Sequence, residues 1–76
     1  MSNSGFYEII SIINVKLSEY STKVEYLKLC KENIINSGDN IKKQANAIII
    51  IDMELRAYQF CINEINEIKN RICTER

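Results

Sequence analysis

Apolar residues in the first half of the chain recur in alternating steps of four and three. Phe6, Ile10, Ile13, Leu17, Tyr20, Val24, Leu27 and Ile34 hold that rhythm, and Lys31 is the one position that breaks it. A 3.5-residue period sustained over about four heptads belongs to a helix packed lengthwise on another helix. No proline occurs anywhere, and the only turn-like cluster is Ser37-Gly38-Asp39-Asn40. Gly38 suits the left-handed residue that closes a helix, and Asp39 or Asn40 suits the cap of the next one.

The second half repeats the rhythm with Ile48, Ile51, Leu55, Tyr58, Ile62, Ile65 and Ile72, interrupted at Lys69. The isoleucine run 48–51 favours a strand by propensity alone. It sits inside some thirty residues of helical period with no strand partner elsewhere, so length decides for helix. The expected fold is all-α, an antiparallel two-helix hairpin of coiled-coil type, completed by a partner. The expected organisation is a flexible polar start over residues 1–4 and one hairpin over 5–74. Within it, helix one covers about 5–36, the turn 37–40 and helix two about 41–73. Ser4 is the expected first cap, with Glu8 in the first turn, and Glu19 is placed to pair with Lys23.

The stretch Ala47–Ile62 predicts more than a hairpin. On a helix at about 100° per residue, Ile48, Ile51, Leu55, Tyr58 and Ile62 form one stripe. Ile50, Ala57 and Cys61 form a second beside it, interrupted by Glu54. Ile49, Met53 and Phe60 fall on what would be the wet side of a two-helix protein. Helix one offers mainly one stripe, widened by Ile9, Ile12 and Cys30, so it leaves much of helix two uncovered. Each such side chain contributes roughly 1.5–3 kcal/mol when fully buried, and an uncovered patch of this size marks an interaction surface. The expected partner contacts are Ile49, Ile50, Met53, Ala57, Phe60 and Cys61. Ile51, Leu55 and Tyr58 are assigned to the hairpin seam.

Composition narrows the function. Seventy-six residues form one small domain at most, marginal without staples or partners. The cysteines Cys30, Cys61 and Cys73 are odd in number and lack CxxC spacing, which reads as free thiols in a reducing compartment. The absence of His removes the commonest metal ligand and general base, and no glycine-rich phosphate loop is present. Tyr7, Tyr20, Tyr26 and Tyr58 have no visible base beside them. Asp52, Glu54, Glu64 and Glu67, near Arg56 and Lys69, read as an ordinary solvated face. No enzyme chemistry, no cofactor and no metal site are expected. Ten basic and ten acidic residues cancel, which argues against nucleic-acid binding. The polar start carries no cationic leader and the longest apolar run is far short of a bilayer span, so a soluble intracellular protein is expected.

The pattern Ser37-Gly38-Asp39, then Gln44, then ELRAYQFCINEI over Glu54–Ile65 resembles the small co-chaperones of type III secretion systems, the YscE, PscE, SsaE and EscE group. The likeness covers about half the chain. Ala57 matches a small position among large aliphatics, while Lys43-Gln44 departs from the Tyr-Gln expected after the turn. The resemblance implies a partner in the bacterial cytoplasm. That partner is a larger helical-repeat chaperone, which with this chain sequesters the needle subunit in a ternary complex. Two other readings stand beside it: a homodimeric four-helix bundle with a regulatory or structural role, and a secreted or phage-borne hairpin acting on a host protein.

Overall fold

The computed structural model describes residues 3–38 and 40–75, with side chains over 5–38 and 40–74. It consists of two long helices, α1 (Asn3–Asn36) and α2 (Ile41–Glu75), folded back on each other, with no strand among the described residues. The isoleucine run is helical, as its setting predicts. The helices lie side by side over their whole length, in a molecule 60 × 15 × 12 Å between Cα extremes. Three cross-helix contacts show that they run antiparallel. Lys31 meets Asp52, the rings of Tyr20 and Tyr58 lie 5.7 Å apart, and Lys69 meets Asn14.

The turn is built as its residues dictate. Gly38 takes φ 75°, a conformation that costs an L side chain about 1–2 kcal/mol. The Ser37 backbone N–H and hydroxyl both donate to the Ile34 carbonyl, at 3.2 and 2.7 Å. Asn40 caps α2, its Oδ1 accepting from the Lys42 N–H at 2.8 Å. Asp39, the other expected cap, lies outside the described residues, as do Met1 and Ser2. At the other end the expectation needs correcting. Helix α1 is already formed at Asn3, so Asn3 and Ser4 are helical rather than part of a polar start. The helix start thus lies upstream of Ser4, and the first turn carries no acidic residue because Glu8 falls beyond it.

Burial reproduces the heptad. Writing each repeat as abcdefg with a and d in the seam, α1 places Ile10, Leu17, Val24 and Lys31 at a. Phe6, Ile13, Tyr20, Leu27 and Ile34 take d. In α2, Ile48, Leu55, Ile62 and Lys69 take a, while Gln44, Ile51, Tyr58, Ile65 and Ile72 take d. Every one of these is buried or half-buried. The fully covered core is thin, however: Val24, Leu27 and Ile51, at 4, 9 and 9% exposure. Two helices enclose only the seam between them, and a hydrophobic core of this size is small for a chain of this length.

Both lysines of the seam bridge the helices. Lys31 pairs with Asp52 at 2.9 Å with both side chains partly covered, and Lys69 donates to Asn14 Oδ1 at 2.7 Å. The ammonium groups reach out of the seam on long apolar stems to acceptors at flanking positions. The expected Glu19–Lys23 pair does not form. Glu19 instead accepts from Lys16 at 3.2 Å, one turn toward the N-terminus.

Candidate partner-binding surface

An antiparallel pair of helices has two broad sides. The g positions of both helices, with the c positions next to them, share one side; the e and b positions share the other. Along α1 the g and c positions read Ile9, Ile12, Lys16, Glu19, Lys23, Tyr26, Cys30 and Asn33. Along α2 they read Lys43, Ala47, Ile50, Glu54, Ala57, Cys61, Glu64, Ile68 and Arg71. The opposite side carries Ser11, Asn14, Ser18, Ser21, Glu25, Lys28 and Glu32 from α1. From α2 it carries Asp52, Arg56, Gln59, Asn63, Asn66 and Asn70, with Tyr7, Ile35 and Ile49 toward its ends. One side is thus mainly apolar and the other mainly polar. Both cross-helix polar bridges, through Asn14 and Asp52, lie on the polar side. Of the partly covered residues outside the seam, Cys30, Ala47 and Cys61 lie on the apolar side and Asp52 on the polar side.

The six residues expected to meet a partner form one continuous outer surface of α2. Ile50, Met53, Ala57, Phe60 and Cys61 belong to the apolar side and its edge, where Met53 and Phe60 are each 65% exposed. Ile50 is as open as an ordinary surface residue, and Cys61 is half-buried beside the seam. Ile49 is exposed at the margin, turned toward the polar side next to Met53. Ile51 is buried in the seam and Leu55 and Tyr58 are half-buried there, as expected.

The uncovered surface is not confined to α2, and the expectation of a single-striped helix one is corrected here. Ile9, Ile12, Val15, Tyr26 and Leu29 of α1 are all at least half exposed and lie on the same apolar side and its edge. Ile12, Val15, Tyr26 and Leu29 share a second heptad row, interrupted at mid-helix by Glu19 and Thr22. That interruption conceals the row in the sequence. Extending the 3.5 period to the c and f positions recovers it.

Chemically the surface offers contact area, aromatic rings and thiols. Cys30, Cys61 and Cys73 are free. The Tyr26 hydroxyl is hydrogen-bonded with Cys30, which pushes its pKa above the ordinary tyrosine value. Surface hollows line the turn (Asn33, Ile34, Ser37, Lys43, Gln44, Ala47) and the middle of α1 (Ser18, Glu19, Thr22, Lys23, Tyr26). A third lies along α2 (Asp52, Leu55, Arg56, Gln59, Phe60, Asn63), and all three are open to solvent. Among the described residues no group of three or more Cys, Asp or Glu is placed to hold a metal ion. No helix among them is long and apolar enough to cross a membrane. Comparison with protein-family models, with curated proteins and with solved structures gives no match for this chain.

Proposed function

We propose that the hairpin is a non-enzymatic protein-binding module that presents its apolar side, and above all the outer surface of α2, to a helical partner. One observation carries this reading. The fully covered core holds three side chains, while Ile9, Ile12, Val15, Tyr26, Leu29, Ile50, Met53 and Phe60 stand open on one side and its edges. Apolar side chains spread over a surface make little of their potential contribution until something covers them, and a helical face fits the groove of another helical protein. Met53 adapts to an irregular partner surface, and Ala57 permits close approach.

The resemblance of the turn and of the Glu54–Ile65 stretch to type III secretion co-chaperones gives the reading a specific form. In it, the partner is a helical-repeat chaperone of the bacterial cytoplasm, and the pair keeps a needle subunit from assembling early. Affinity capture of the full chain from its native organism, with the bound proteins identified by mass spectrometry, tests this. The expected result is a helical-repeat chaperone retained by the natural chain and lost with Phe60→Asp and with Met53→Asp. Retention by both variants would reject the surface, and capture of a partner without helical repeats would reject the co-chaperone form.

A further inference from the structure

The charges on the apolar side say what can cover it. On α1 they gather at mid-helix as Lys16, Glu19 and Lys23; on α2 they are Glu54 and Glu64, with Lys43 near the turn and Arg71 at the far end, the latter paired with Glu67. The Tyr20–Tyr58 contact fixes the relative heights of the two helices. At about 1.5 Å per residue, Lys23 stands level with Leu55, next to Glu54, and Lys16 stands level with Ile62, between Cys61 and Glu64. Ile9 and Ile12 are level with the turn around Ile68, and Tyr26 and Cys30 with Ala47 and Ile50. Among the described residues Lys23, Glu54 and Glu64 form no ion pair.

We infer that the apolar side takes a second copy of this chain, stacked face to face about a two-fold axis parallel to the helices. Such an axis leaves every residue at its own height and lays α1 of one copy over α2 of the other. Lys23 then faces the second copy's Glu54, and Lys16 the second copy's Glu64. Ile9 and Ile12 meet Ile68, and Tyr26 and Cys30 meet Ile50 and Ala47. Lys16 and Lys23 find opposite charges, and Ile9, Ile12, Tyr26 and Cys30 find apolar partners, while Glu19, paired with Lys16 in its own chain, lies over the small residues Ala57 and Cys61. A two-fold axis across the hairpin does the reverse: α1 lies on α1, with Lys16 against Lys23 and Glu19 against its own copy. The broad side measures 60 by 15 Å between Cα extremes, of the order of the ~800 Å² per partner that a stable interface covers. The product is a four-helix bundle with both turns at one end. This inference rests on the reading of the apolar side as a binding face. It adds that the chain alone covers that face with itself, so a heterologous partner must displace the second copy.

The test is sedimentation equilibrium on the full chain, with far-UV circular dichroism as a check on folding. The natural chain is expected to dissociate reversibly from dimer to monomer on dilution. Lys23→Glu alone and Glu54→Lys alone, both at exposed positions, are each expected to weaken the dimer by about tenfold without loss of helix. Mixed together, the two variants restore both cross-copy pairs and are expected to regain the natural affinity as a heterodimer. Within a single chain each variant keeps like charges, so recovery on mixing reports contact between copies. A monomer at all concentrations overturns the inference, and so does a dimer whose two variants fail to recover on mixing. A monomeric chain that still loses its captured partner on Phe60→Asp leaves the binding function standing while this inference falls.

Discussion

The two broad sides of the hairpin are made by the same two helices and differ in almost every physical respect. The polar side is self-sufficient: Lys31–Asp52 and Lys69–Asn14 cross it, and most of its remaining groups are content in water. The apolar side has no such bridge among the described residues, and it holds Ile9, Ile12, Tyr26, Ile50 and Ile68 open to solvent. The seam makes the hairpin, the polar side closes it, and the apolar side is left for something else. A two-helix fold can hide one stripe per helix; a second stripe on both helices, turned the same way, is surplus to the hairpin.

The difference can be broken outright by damaging the seam that both sides share. Ile51→Asp puts a carboxylate among buried aliphatics and is expected to cost about 3 kcal/mol or more, abolishing cooperative thermal melting followed by circular dichroism. Leu55→Asp, half-buried, is expected to follow with a smaller loss. The sides are separated next by paired substitutions. Met53→Asp with Phe60→Asp is expected to weaken partner association by at least about 2 kcal/mol, while Gln59→Asp with Asn63→Asp, on the polar side, leaves it unchanged in the same capture measurement. Equal loss from both pairs would erase the distinction.

Smaller effects sharpen it. Gly38→Ala meets no atom within 4 Å, so its cost is purely that of the left-handed backbone, about 1 kcal/mol in urea denaturation. Asp52→Ala removes the Lys31 bridge; with both side chains more than a third exposed, the expected loss is about 0.5–1 kcal/mol, shrinking as salt is raised. Glu67→Ala, which breaks an exposed pair with Arg71, is expected to cost no more than a few tenths of a kcal/mol.

Much of this was readable in the residues. The seam, the helical fate of the isoleucine run, the turn at Gly38 and the open surface of Ile50, Met53, Ala57 and Phe60 all follow from period and turn chemistry. Three things did not. The start of α1 lies upstream of Ser4, because a polar residue that can cap a helix can equally be carried inside one. Lys31 and Lys69 looked like faults in the pattern, since their acceptors Asp52 and Asn14 are assigned only once the register between helices is known. The second row of α1 was hidden by Glu19 and Thr22, which split Ile12 and Val15 from Tyr26 and Leu29. Whether two apolar rows on different helices face the same way is a property of the pair, not of either helix.

The two lysines of the seam have one more effect. Isoleucines at repeating positions are nearly interchangeable, so greasy packing alone would tolerate a slip of seven residues, with the turn unwinding to give slack. A slip would bring Lys31 to Ala45 or Gln59, and Lys69 to Tyr7 or Ser21, robbing one or both cations of a good acceptor. The least oily members of the stripe therefore act as alignment pins. Replacing both with leucine would trade a molecule with a single setting for a tougher one that can slide.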